Sequence, residues 1–264
     1  MVVRLPHAAR GAFARALAVT SACLLLAAAG PPAARAQDSG AAGTGWQPLF
    51  DGRTLSNWKP TQFGGEGVVK VENGTIVLEA GNDLTGVTWT GPELPATNYE
   101  LALQAMRVSG HDFFAGVTFP VADSFCSLIL GGWGGTVVGL SSIDGEDASE
   151  NETSQTIAFE PGHWYDVRIR VTPARIEAWL DGRQIISQDV KGREIDTRLE
   201  VDPSKPLGIA SWRTKSALRN IRLERLTGNK EKGRKMPQEA TRSGDTRSGN
   251  PKCLLTFLSS VETS

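Results

Sequence analysis

Residues 46–58 read WQPLFDGRTLSNW. Trp46, Pro48 and Phe50 alternate with Gln47 and Leu49, the period of a strand whose two faces meet different surroundings. Asp51-Gly52 suits a turn in which glycine takes a positive φ without steric cost. Trp58 then offers a large indole for burial beneath the returning chain. A β domain is expected to start here.

What precedes this stretch reads as an export signal. Arg4, Arg10 and Arg15 form a positive leader, residues 16–30 an apolar core too short to span a bilayer comfortably, and Ala34-Arg35-Ala36 an A-x-A cleavage site before Gln37. Cys23 lacks a lipobox around it, since Thr20-Ser21-Ala22 precede it and the apolar run continues past it. Residues 1–36 are therefore set aside as a signal, which implies a secreted or periplasmic protein, with a short linker at 37–45. No later segment is apolar for long enough to form a transmembrane helix. A formal charge of −1, from 28 basic and 29 acidic residues, argues against a nucleic-acid partner, which calls for a basic surface. Cys126 and Cys253 are too few for a disulfide framework, and Cys126, within SFCSLIL, reads as a buried small apolar side chain.

Outward from 46–58 the patterning stays at period two as far as residue 226. VVKVENGTIVLEA sets Asn73-Gly74 between two alternating runs, and RIEAWLDGRQIIS does the same with Asp181-Gly182; these dipeptides favour type I′ hairpin turns. Further strands are expected at 85–90, 99–108, 113–119, 124–130, 137–140, 164–171, 207–212 and 217–226. With no amphipathic helical pattern, the expected fold class is all-β, an antiparallel β-sandwich or jelly roll, over 46–227. From 228 to 264 the chain opens with a basic, Gly-containing run almost free of apolar residues before Leu254, and a disordered tail is expected there.

Within that frame WQPLFDGRTLSNW resembles the opening of the 3-keto-disaccharide hydrolase family. HWYDVRIRV (163–171), IEAWLDGRQI (176–185) and KPLGIASWRTKSALRNIRLERL (205–226) follow in that family's order, with Arg219-Asn220-Ile221 matching a recurrent ending. The resemblance implies a concanavalin A-like jelly roll and chemistry on a sugar with a ketone at carbon 3. Such a ketone acidifies the carbon-2 hydrogen, so a base removes that proton, the anomeric substituent leaves, and water adds. This chemistry needs a base, a cation or metal to stabilise an enediolate, and an acid near the leaving oxygen. Members of the family carry a histidine in the late hairpin and another in a closing strand, where this chain has Ala178 and Trp212 or Arg213. Residues 110–156 depart from the family pattern.

SSIDGEDASENET (141–153) holds Asp144, Glu146, Asp147, Glu150 and Glu152 with no basic residue. The stretch reads first as a solvated acidic loop; the alternative is a sugar or metal site, since hard oxygen donors suit a divalent metal such as calcium, with Asp144, Asp147 and Glu150 as the ligand set, although the spacing is not that of an EF-hand. His111, beside Asp112, is a candidate base, with Asp147 and Glu150 as its acid–base partners. His163, in a Pro-Gly turn, reads as exposed. Trp46, Trp58, Trp164 and Trp179 are assigned to the core. Trp133, flanked by Gly131, Gly132, Gly134 and Gly135, is assigned to a ligand surface, with Trp212 and Arg213 as further substrate-binding residues. Asn73-Gly74-Thr75 and Asn151-Glu152-Thr153 have the form of glycosylation sequons. The expected function is a carbohydrate-active protein acting on an oligosaccharide or modified sugar; a non-catalytic carbohydrate-binding or cell-envelope interaction module is the alternative.

Overall fold

The computed structural model describes residues 45–226; the readings made for 1–36, for the linker before Gly45 and for the tail lie outside the described residues. In chain order the strands are β1 (Trp46–Pro48), β2 (Trp58–Pro60), β3 (Val69–Glu72), β4 (Thr75–Leu78), β5 (Leu84–Trp89), β6 (Tyr99–Ser109), β7 (Ala115–Val121), β8 (Ser124–Gly132), β9 (Val137–Ser141), β10 (Gln155–Thr156), β11 (Trp164–Val171), β12 (Arg175–Leu180), β13 (Arg183–Asp189), β14 (Gly208–Trp212) and β15 (Lys215–Arg225). One sheet has the order β13-β12-β11-β6-β15-β4-β3 with β1 added on β15; the other runs β10-β9-β8-β7-β14-β5-β2. Adjacent strands are antiparallel throughout, and the two sheets make the expected sandwich.

The opening stretch closes the domain by pairing with its last strand, Trp46 opposite Glu224 and Pro48 opposite Arg222. The alternation expected through Phe50 stops at Pro48, because the amides of Leu49 and Phe50 both donate to the Ile221 carbonyl (2.8 and 3.3 Å) and the chain bends inward there. Leu49 and Phe50 are both buried as a result. Asp51 Oδ1 accepts from the amides of Arg53 and Thr54, and Gly52 takes φ +74°. Trp58 Nε1 donates to the Leu49 carbonyl at 2.9 Å, and its ring meets Trp89 edge-on at 5.3 Å. The two hairpins form as expected: Asn73 and Gly74 sit at φ 49° and 77°, Asp181 and Gly182 at 50° and 79°, the doubly positive pair of a type I′ turn.

Alternation sorts the side chains between core and surface. In β11, Tyr165, Val167, Ile169 and Val171 point between the sheets, while Trp164, Asp166, Arg168 and Arg170 point outward. Three of the four tryptophans assigned to the core therefore lie elsewhere. Trp164, Trp179 and Trp46 are half-buried on the outer face of the first sheet, beneath the guanidinium groups of Arg219 (4.0 Å), Arg168 (3.7 Å) and Arg222 (5.2 Å). The guanidinium groups cover the indoles from outside as cation–π partners; only Trp58 of the four is in the core. Cys126 is buried there as a free thiol. Tyr99, in the first sheet, bonds through its hydroxyl to the Pro120 carbonyl of the second at 2.6 Å.

Two coverings over the outer face of the second sheet were not legible in the sequence. A 3₁₀ helix at Leu199–Ser204 lies on β14 and β5, and the loop 142–154 packs on β9. Both need glycine beneath them: a Cβ on Gly208 would lie 2.6 Å from the Ser204 carbonyl oxygen, and one on Gly139 2.6 Å from that of Ala148.

Candidate functional site

Within β8, Cys126, Leu128 and Leu130 enter the core, so Ser127 and Ile129 face outward. Ser141 of β9, paired with Ser127, shares that face. These three floor a cleft of about 270 Å³. Its walls come from chain ends and connections: Leu84 at the start of β5, Asp112 and Phe113 before β7, Trp133 after β8, Trp212 at the end of β14, and Arg198, Glu200 and Val201 at the start of the 3₁₀ helix. Phe113 reaches the cleft because its carbonyl accepts from the Trp212 amide (3.0 Å); strand β7 consequently begins at Ala115 rather than at 113. Trp133, at φ 47° and 44% exposed, stands in the turn that the surrounding glycines allow. Ser141 Oγ is buried without a hydrogen-bond partner among the described residues.

A second compartment, of about 460 Å³, adjoins the first and shares Arg198 and Glu200 with it. It is lined also by Ser142, Asp147, Glu150, Glu194 and Asp196. Arg198 lies at the junction, donating to Asp147 Oδ2 at 2.8 Å and to Glu200 Oε1 at 3.0 Å. The Arg198 hydrogen bond holds the Glu200 carboxyl below the usual glutamate range, and the same bond raises Arg198 above its ordinary value. Asp147 is further fixed by the amide and hydroxyl of Ser149 on Oδ1. The Glu150 side chain makes no hydrogen bond or ion pair among the described residues, which leaves its carboxylate available to a ligand.

Asn151, at the centre of the acidic loop, is 3% exposed. Its Nδ2 donates to the carbonyls of Leu140, Glu146 and Asp147, and its Oδ1 accepts from the amide and hydroxyl of Thr153. This Asn-Glu-Thr sequence thus serves as the loop's internal frame, with no amide nitrogen to spare for a sugar.

The residues singled out in the sequence fall into separate places. Trp133 and Trp212 share the apolar cleft, with Asp112 beside them. Asp147 and Glu150 share the acidic compartment. His111 is exposed and lines neither, and His163 is exposed against Tyr165. Arg213 turns away to Asp83 Oδ1 and the Asn82 carbonyl, flanking Trp212 from outside. Asp144 pairs with Arg193, which also holds Glu152. Asp144, Asp147 and Glu152 thus meet arginines rather than one another, while Glu150 stands apart from them, and no group of three or more His, Cys, Asp or Glu placed to hold a metal occurs among the described residues; the expected set of Asp144, Asp147 and Glu150 is not gathered as a calcium site. Ala178, which the resemblance sets against a histidine, is fully buried in the core.

Arg198 and Glu200, the groups that join the two compartments, were missed in the sequence. They sit in DTRLEVDPSKP (196–206), where the only signal is an Arg and a Glu two residues apart in a Pro-containing connection.

A family model for the 3-keto-alpha-glucoside-1,2-lyase-like domain matches residues 45–224. No curated protein matches the chain. Among solved structures, the chain is similar in fold to the apo Crh5 transglycosylase (13% identity, TM-score 0.49, 69% of this chain and 84% of that one). It is also similar to SCLam, a non-specific endo-beta-1,3(4)-glucanase from family GH16 (12%, 0.44, 70% and 93%). The carbohydrate binding module CBM66 from Bacillus subtilis matches at 10% identity and TM-score 0.39, over 64% of this chain and 95% of the module.

Proposed function

The chain belongs to the family of 3-keto-alpha-glucoside-1,2-lyase-like domains, and from that premise we propose that its cleft binds a sugar oxidised at carbon 3 and eliminates the anomeric substituent. The observation that carries this reading is the junction at Arg198, where an apolar compartment bearing two tryptophans meets an acidic one. Indole faces at Trp133 and Trp212 suit the apolar faces of a pyranose ring. The guanidinium of Arg198 stabilises the oxygen of the ketone as it becomes an enediolate. Glu150, whose carboxylate is unengaged, takes the carbon-2 proton. The electron pair left on carbon 2 then forms the double bond to carbon 1 as the anomeric oxygen leaves with a proton from an acid, and addition of water gives net hydrolysis. Two of the three expected metal ligands, Asp144 and Asp147, are paired with arginines, so the charge that develops on the sugar is assigned to Arg198 rather than to a metal. The basic leader and A-x-A site in residues 1–36 support action outside the cytoplasm.

A non-catalytic sugar-binding module is the second reading. It is favoured by the absence of a histidine from the lining of either compartment and by the double engagement of Arg198 with Asp147 and Glu200. Turnover of methyl 3-keto-α-glucopyranoside by the full chain separates the two. Catalysis predicts turnover that falls about 10²–10⁴-fold in Glu150→Gln, with Trp133→Ala acting mainly on KM. Binding without turnover selects the module, and neither binding nor turnover removes the cleft as a sugar site.

A further inference from the structure

Arg107, in β6, is 6% exposed and forms no carboxylate ion pair among the described residues. Its guanidinium carbon lies 5.3 Å from the Phe114 ring centre and 5.8 Å from that of Phe159. Nη2 donates toward three carbonyl oxygens, those of Asp112 (3.2 Å), Gly131 (3.3 Å) and Gly135 (2.9 Å), and Nε has no hydrogen-bond partner among the described residues. Burial lowers its pKa from the ordinary arginine value. Burying this cation is offset by the three carbonyls, by the two aromatic faces and by the nearby charge of Asp112, so its compensation ties it to the segments that supply them.

The three carbonyls lie on the two segments that build one wall of the cleft: Asp112 precedes Phe113 in the connection to β7, and Gly131, at the end of β8, and Gly135, in the turn after it, bracket Trp133. Glycine at 131 is required for the contact, since a Cβ there would collide with Nη2. From the other side, Asp112 Oδ2 accepts from the Gly134 amide at 3.2 Å and Oδ1 from that of Phe113 at 2.7 Å. We propose that Arg107 is a positioning residue that clamps the 131–135 turn to the 112–113 connection and so fixes the Trp133 indole as a rigid wall of the cleft. All three contacts are made by one terminal nitrogen, Nη2, at the end of a planar guanidinium packed against Phe114 and Phe159; a lysine ammonium, one bond shorter and without that planar group, neither reaches the same point nor packs between the two rings. A pre-ordered indole spares the ligand the entropy of ordering it.

The consequence for sugar affinity rests on the function proposed above; the clamp itself does not. Arg107→Lys and Arg107→Met would be compared with wild type by amide hydrogen exchange over 131–136, and by affinity for methyl 3-keto-α-glucopyranoside alone and combined with Trp133→Ala. The amides of Gly135 and Thr136, which bond the Gly132 carbonyl, are expected to exchange about tenfold faster or more, the effect of losing one good hydrogen bond. The β12–β13 hairpin should keep its protection. The affinity losses of Arg107→Lys and Trp133→Ala are expected not to add, because both remove the same wall. Unchanged exchange at 135–136, or fully additive losses, would overturn the proposal. If the Met variant does not fold, the Lys variant decides it. If wild type binds no sugar, the proposed function fails while exchange still judges the clamp.

Discussion

Replacing Trp58 tests whether the opening stretch is welded into the sandwich. The indole is 4% exposed, meets Trp89 edge-on at 5.3 Å and donates at 2.9 Å to the carbonyl of buried Leu49. Trp58→Phe keeps an aromatic ring but leaves that carbonyl without its donor, a cost of about 1–3 kcal/mol. Trp58→Ala loses in addition the ring and its contact with Trp89, for a total of about 3–5 kcal/mol. A domain of this size loses about 2–4 °C in Tm per kcal/mol. The Phe variant should therefore melt about 2–12 °C lower and the Ala variant about 6–20 °C lower. Trp133→Phe, an exposed site, should stay within about 0.5 kcal/mol of wild type. Thermal melts followed by circular dichroism and urea titrations at constant m-value are the assay. A Trp58→Ala midpoint within about 1 kcal/mol of wild type would refute the placement of this indole in the core; should that variant not fold, the Phe variant supplies the same comparison.

Arg198→Met removes the hydrogen bond that keeps the Glu200 carboxyl low. Because the folded carboxyl titrates below its unfolded value, the pair stabilises fully above the ordinary glutamate range and is lost as pH falls through the lowered folded value. The variant should therefore show a Glu200 titration moved upward by NMR, and an unchanged curve would count against the pair. Gly182→Ala places a Cβ at φ 79° in the hairpin turn and should cost about 1 kcal/mol, seen as a Tm fall of about 2–4 °C; a neutral result would argue against the type I′ geometry. The Cys126 thiol, fully buried, is pushed up to about 12, so native protein at pH 8 should leave this residue unlabelled by iodoacetamide in peptide mapping, with labelling appearing in urea. Rapid labelling of Cys126 without denaturant would contradict its burial.

The strands were legible because a two-residue period with Asn-Gly and Asp-Gly turns is a local signal, set by backbone sterics and by which face meets water. It placed both hairpins, and the resemblance read from 46–58 and from the closing residues identified the family. The same signal failed for Trp46, Trp164 and Trp179: period two says that alternate residues share a face, and aromatic bulk suggested the inner one. Arginines on neighbouring strands, brought alongside only by sheet pairing, cover those rings on the outside instead.

The candidate site divided along the same line. Trp133 could be picked out because glycines on both sides of an indole are a local cue to an uncovered ring. Its meeting with Trp212 joins residues 79 positions apart, and that follows from β7 pairing with both β8 and β14. Asp144, Asp147 and Glu150 look alike in sequence, but Arg193 and Arg198, delivered by a distant connection, leave Glu150 as the unengaged one. The sequence alone determined an all-β chain, its turns and its family, since these depend on neighbours along the backbone. Only the tertiary structure decided which charges meet, which indoles are covered, and that Arg107 reaches the turn carrying Trp133. Those outcomes depend on strand register and on glycines that let distant segments approach, and neither leaves a mark within a short window of sequence.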